Sequence, residues 1–182
     1  MSKSKGKIQE KIDEKLLEER KVFLWGQVDD QSAKHVIDRL LYLDLISNDE
    51  IQLIINSPGG YVTSGFAIYD TLKSLKSPVS TVCSGLAASM ASILLSAGAK
   101  GRRFIEPHAQ VMIHQPSGGA RGQASNIEIQ AREILKTRTL SAEILATNCN
   151  QKVDKVLKDF DRDYWMNAEE SMEYGIVDGV KE

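Results

Sequence analysis

Ile51-Gln52-Leu53-Ile54-Ile55-Asn56-Ser57-Pro58-Gly59-Gly60 is the stretch from which the fold can be worked out. Ile51 to Ile55 is a short apolar run rich in β-branched side chains, which predicts a buried strand of the kind found in parallel sheets. Asn56 to Gly60 combines turn formers, a proline and two glycines, so the strand must stop abruptly there. Just beyond, Phe66, Ile68, Tyr69 and Leu72 recur at helical spacing. The same order precedes it. Lys21 to Trp25 reads as a strand, and Gln31 to Leu43 as a helix with Ala33, Val36, Ile37, Leu40 and Leu41 on one side. Asp44 falls where that stripe would continue, so the amphipathic face stops there. Strands alternating with helices predict an α/β class with a largely parallel sheet.

Downstream, Val79 to Cys83 is a strand, and a corner of glycine and small residues leads into a helix from Ser89 to Ser96. Two short strands follow, Arg103 to Ile105 and Gln110 to Ile113. Gln115 to Ser125 is polar and glycine-rich, and reads as a loop or an irregular exposed strand. A helix from about Asn126 to Thr147 is too long for a compact core of this size, so it is expected to project and pack against another subunit. Asn167 opens a further helix, with Glu170 three residues on to complete a capping box. Near the start, Ile8, Ile12, Leu16 and Leu17 give a short amphipathic helix whose many charges form a solvated face. No linker or internal repeat interrupts the 182 residues, which fit one domain with a self-sufficient core.

The net charge of −2 gives no reason to expect a nucleic-acid or anionic-membrane partner. The longest apolar stretch, Leu86 to Ala99, is too short and too interrupted by serine to span a bilayer. No apolar core or small-residue cleavage site follows the lysine-rich N-terminus, so a secretory signal is not expected. Cys83 and Cys149 have no metal-ligand spacing and read as reduced packing residues, which points to the cytoplasm.

Few residues can carry chemistry. His35 sits mid-helix among charges and His108 in a turn, whereas His114 ends a strand beside a glycine-rich loop, a good position for a cleft. Ser89 lies at a strand-to-helix turn in Gly85-Leu86-Ala87-Ala88-Ser89-Met90-Ala91, where small neighbours would let a substrate backbone approach. The helix N-terminus there offers unpaired N–H groups where an oxyanion could form. A plain helix cap would explain Ser89 equally well. Ala87 and Ala91 occupy the glycine positions of a Gly-x-Ser-x-Gly elbow, which disfavours an α/β-hydrolase. Gly59 and Gly60 are a second place where backbone N–H groups could be exposed, or merely a tight turn. Asp159, Asp161 and Asp163 lie close together among aromatics that could partly bury an acid, and spacing alone cannot choose among them.

Taken in order, Phe23 to Gln27, Ile55 to Gly60, Ala87-Ala88-Ser89-Met90 and Met112-Ile113-His114-Gln115-Pro116 resemble the proteolytic subunit of Clp proteases. Glu128 to Lys136, Asp161-Arg162-Asp163, Ala168-Glu169-Glu170 and Glu173-Tyr174-Gly175 continue the match, from about residue 14 to residue 180. The resemblance implies a crotonase-like α/β subunit, with the strand after His114 and the long helix forming a projecting handle. It implies heptameric rings, two of them stacked into a tetradecamer and interlocked by the handles. Ser89 is then the nucleophile, His114 the general base and Asp163 the third member. The N–H groups of Gly60 and Met90 form the oxyanion hole, and Asp161 and Arg162 make charged contacts between rings. Substrates are peptides, and unfolded proteins threaded in by an AAA+ unfoldase. ATP belongs to that partner: this chain has no Gly-x-x-x-x-Gly-Lys-Ser/Thr motif and is expected to need no cofactor or metal.

Some positions depart from the family pattern. Met1 to Lys15 is charged where an apolar pore-lining segment is usual, and Gln52 stands where an aromatic often helps form the unfoldase pocket. Leu86 and Ala91 replace the glutamine and glycine more usual around the nucleophile. Two other functions fit parts of the pattern. One is a non-catalytic ring subunit regulating a catalytic paralogue; the other is a crotonase-type acyl-CoA enzyme.

Overall fold

The computed structural model describes residues 2–119 and 121–181; Met1, Ala120 and Glu182, at the two ends and within the glycine-rich stretch, lie outside the described residues. Helix α1 (Ser2–Glu18) leads into strand β1 (Lys21–Trp25), helix α2 (Asp30–Ile46), strand β2 (Ile51–Ser57) and helix α3 (Val62–Ser74). The three strands β1, β2 and β3 (Val79–Ala88) run parallel, with Leu24 beside Ile55 and Ile55 beside Cys83. Strand β4 (Arg103–Ile105) and the two-residue β7 (Gly179–Val180) extend the sheet in the order β1-β2-β3-β4-β7.

One face of this sheet is the core. Val22, Leu24, Leu53 and Ile55 share it with Val36, Leu40 and Leu43 of α2, Ile68 of α3 and Leu94 of α4 (Met90–Ser96). The opposite face of β2 is only half-covered, because its residues alternate between buried and half-buried. The buried strand expected here is thus fully covered on one face and half-covered on the other, the pattern that period-2 side-chain alternation gives. Helix α2 outruns its predicted end by a turn. Asp44, which breaks the apolar stripe, accepts a hydrogen bond from the Ser77 N–H at 2.7 Å and so ties down the α3–β3 turn. The last carbonyls of α2 need donors. Arg20 fastens this end, donating to the carbonyls of Leu43 and Ser47 and, in the following turn, to those of Asp49 and Glu50.

Strand β3 also runs longer than its apolar segment. Gly85, at φ +97°, kinks it, and two extra residues enter β3 relative to β2: Ile55 pairs with Cys83, but Ser57 pairs with Ala87. The kink divides the strand. Thr81–Cys83 pair with β4, and Leu86–Ala88 pair with β5 (Gln110–Ile113). The corner expected after Cys83 is thus a bent strand, and Ala87 and Ala88 are small because they are buried in it.

Residues 115–119 and 121–123 are loop, the first of the two readings of that stretch. Helix α5 (Ala124–Cys149) follows and is 26 residues long, about 39 Å at the usual rise. Only its C-terminal part is buried, through Ser141, Ala142, Leu145, Ala146 and Cys149, while Ile127, Ile129 and Leu135 are exposed along the projecting part. Helix α6 (Val153–Asp159), strand β6 (Tyr164–Met166) and helix α7 (Ala168–Tyr174) complete the chain, α7 carrying the capping box of Asn167 and Glu170. Strand β6 runs antiparallel to β5. Both cysteines are buried, which pushes their thiols up to about 12.

The end of the chain is fastened by an ion pair. Arg103, 6% exposed, donates to both carboxylate oxygens of Asp178, at 2.9 and 2.5 Å. Burial pushes the Asp178 carboxyl up, but the Arg103 guanidinium and nearby backbone N–H groups outweigh it and hold it below the usual carboxylate range. A depressed value means that the stabilisation is present above the unfolded-state pKa, about 3.9, and is lost as pH falls through the folded one. Asp178→Asn should therefore lower stability at pH 7 by about 3 kcal/mol, since it leaves a buried guanidinium without its counter-charge. In urea melts the gap to wild type should narrow on acidification. A gap that stays constant to pH 3 would trace the loss to something other than this pairing.

Candidate active site

Ser89 lies at the joint between β3 and α4. Its backbone is held at φ 55° and ψ −125°, a conformation rare for a residue with a side chain. The joint is locked by the Ser89 N–H donating to Met112 O at 2.8 Å, and by the Ser92 hydroxyl donating to Ser89 O at 2.6 Å. The Ser89 side chain makes no capping bond, so the helix-cap reading does not describe it. Its Oγ is instead 2.8 Å from His114 Nε2.

His114 directly follows β5, and the β5–β6 register explains its other partner. Val111 pairs with Met166, Met112 with Trp165 and Ile113 with Tyr164, so the next position along the ladder sets His114 opposite Asp163. Their side chains meet, with Nδ1 3.0 Å from Asp163 Oδ1. Register thus distinguishes Asp163 from Asp159 and Asp161, which spacing could not. Asp159 is committed elsewhere, accepting from Tyr174 and pairing with Lys155. The aromatics flanking Asp163 do not bury it: the Asp163 side chain is 60% exposed, and Tyr164 and Trp165 are themselves exposed.

The turn after β2 is wedged against Ser89. A Cβ on Gly59 would stand 2.6 Å from Ala88 O, 2.8 Å from the Ser89 Cβ and 2.9 Å from Met90 N, and one on Gly60 would overlap the Val28 carbonyl. Only glycines allow that approach. It brings the turn at Gly59 against Ala88, Ser89 and Met90, and the backbone N–H groups of Gly60 and Met90 have no acceptor among the described residues.

The other residues singled out in the sequence sit apart. His35 is exposed on α2 with its Nδ1 2.8 Å from Arg39, and His108 is exposed in a turn. His108 lines a cleft of about 580 Å³ with Trp25, Asn56, Ser84 and Glu106; Ser89, His114 and Asp163 are not in it. Asp161 and Arg162 are exposed, and Asp161 accepts from Gln115. Two residues near the site escaped sequence reasoning, Gln115 and Arg138, which hydrogen-bond to each other beside His114. Among the described residues no three His, Cys, Asp or Glu side chains converge as a metal site, and no helix is long and apolar enough to cross a membrane.

Ser89, His114 and Asp163 thus stand in a row at the strand-to-helix joint of this α/β fold. The chain belongs to the Clp protease family, whose sequence model, described as Clp protease, matches residues 4–182.

Proposed function

We propose that the chain is the proteolytic subunit of an ATP-dependent Clp protease, a serine endopeptidase working inside a stacked-ring barrel. The observation that carries the reading is the row Ser89 Oγ, His114 Nε2, His114 Nδ1, Asp163 Oδ1, with contacts of 2.8 and 3.0 Å. Serine is a weak nucleophile until an adjacent base takes its proton. His114 Nε2 is in place to take it as Oγ attacks the scissile carbonyl, and to return it to the leaving amine. Asp163 accepts a hydrogen bond from Nδ1–H, which keeps that proton on Nδ1 and leaves the Nε2 lone pair facing Ser89. The N–H groups of Gly60 and Met90 are the donors for the oxyanion. Water then repeats the sequence on the acyl-enzyme. No cofactor enters these steps.

Assembly supplies what one protomer lacks. Asp163 is open to solvent in a single chain, and enclosure in heptameric rings, stacked as a tetradecamer, would shield the site and restrict entry to short peptides and threaded chains. The apolar side chains on the projecting part of α5 are suited to packing against the opposite ring. An AAA+ unfoldase supplies ATP-driven threading, and the cytoplasm is the setting. Gln52, half-buried on the less covered face of β2, supports weaker docking of an unfoldase than an aromatic there would give, and a mixed barrel with a second paralogue as the working form.

The test is hydrolysis of a short fluorogenic peptide by the purified chain, without CoA, with native mass spectrometry to count subunits. Turnover by a ring-sized species supports the reading. An assembled ring without turnover would favour the regulatory-subunit alternative. Arg162 is placed between rings by the same reading, and it adjoins Asp163. Arg162→Ala should weaken ring stacking and lower the rate together, by up to about 100-fold if Asp163 shifts by about 1 Å. Full assembly and full rate in that variant would make Arg162 a solvated charge.

A further inference from the structure

The β5–β6 ladder stops at Ile113 and Tyr164, so His114 and Asp163 form the unsupported pair just past its end. Among the described residues Asp163 makes no side-chain hydrogen bond other than that to His114, and its side chain is mostly exposed. Something beyond the ladder must hold the aspartate in place. Gln115 makes the bonds found there. Its backbone N–H donates to Phe160 O at 2.6 Å, and its side-chain amide donates to Asp161 O at 2.9 Å and to Asp161 Oδ1 at 3.3 Å. Its Oε1 accepts from Arg138 Nε of α5 at 3.0 Å. Arg138 is itself seated, 5.8 Å from the centre of the fully buried Phe160 ring and donating to Leu157 O at 3.4 Å.

We propose that Gln115 is a positioning residue: held by Arg138, it ties the turn from Phe160 to Asp163 onto the end of β5 and so keeps the Asp163 carboxylate opposite His114. The proposal rests on the serine-peptidase reading and adds a residue to it. The amide is suited to the position because one end must donate to Asp161 while the other accepts from Arg138. A carboxylate would lose the donor and face Asp161 with like charge, and alanine would lose both bonds.

The decisive measurement is kcat and KM for a short fluorogenic peptide, in the wild-type and in the Asp163→Asn backgrounds, with assembly and melting checked for each variant. Gln115→Ala and Gln115→Glu should lower kcat by about 10- to 100-fold while KM stays within about twofold. In the Asp163→Asn background neither should cost anything further, because the carboxylate through which Gln115 acts is already gone. Arg138→Ala should show the same coupling at smaller size, and Arg138→Lys, which keeps a cationic donor, should recover part of the rate. Wild-type kcat in the Gln115 variants would overturn the proposal. So would an equal fold-loss in both backgrounds, the result a general loss of fold or assembly gives. An inactive Ser89→Ala beside fully active Gln115 variants would remove the positioning role alone, whereas a fully active Ser89→Ala would remove the peptidase reading itself.

Discussion

Ser89→Ala is expected to lower peptide hydrolysis by a factor on the order of 10⁴ to 10⁶ while leaving ring assembly unchanged. The expected loss is large because the proposed mechanism makes Oγ the attacking atom, and Ser89 is the one hydroxyl bonded to His114 among the described residues. Assembly should be spared because the Ser89 hydroxyl makes no capping bond, so its removal breaks nothing that holds β3 to α4. The joint is fastened instead by the Ser89 backbone, through Met112 O and Ser92. Alanine adopts a positive φ no more readily than serine, so the strain at φ 55° is unchanged. Native mass spectrometry beside a peptide assay reads both halves. Turnover near the wild-type level in a clean preparation would remove Ser89 from the mechanism.

Asp163→Asn should cost on the order of 10⁴ in kcat, the loss that the same replacement gives in a well-formed triad. An asparagine fits the same space and can keep a bond to Nδ1, but it can do so by donating. That places the imidazole proton on Nε2, where the lone pair must face Ser89, and the serine proton then has no acceptor. The openness of Asp163 in the single protomer argues for a smaller loss unless ring enclosure dries the site. Little change in KM is expected, since the one side-chain bond of the carboxylate among the described residues is to His114. A rate within about threefold of wild type would show that His114 is oriented without Asp163.

The strand–turn–helix units around β1, β2 and β3 were legible because their apolar runs end at strong breakers, Asn56 to Gly60 above all. The start of the helix beside Ser89 was legible as well. What escaped has a common physical cause: too few buried residues to leave a pattern. Strand β6 has three residues, of which only Met166 is buried, and α6 has only Val156 fully buried. Strand β7 is two residues long. The end of β3 was misplaced because Ser84 and Gly85 interrupt the apolar run, although the backbone continues through a kink. Asp163 could be chosen by resemblance but not by spacing. It meets His114 across 49 positions of chain, through a ladder whose second strand is one of the elements the sequence did not reveal. Gln115 was visible only as a neighbour of the histidine. Its bonds to Asp161 and Arg138 depend on how the α6–β6 turn folds back, and no local pattern encodes that.

The most direct test of the central claim is reaction of the purified, assembled chain with a fluorophosphonate, followed by peptide mapping. Such a probe reacts with a serine whose hydroxyl is activated by a neighbouring base, and ordinary surface serines are left alone. Stoichiometric labelling of Ser89 is expected, abolished by Ser89→Ala and strongly slowed by replacing His114. Absence of labelling in a correctly assembled ring, or labelling at another serine, would contradict it.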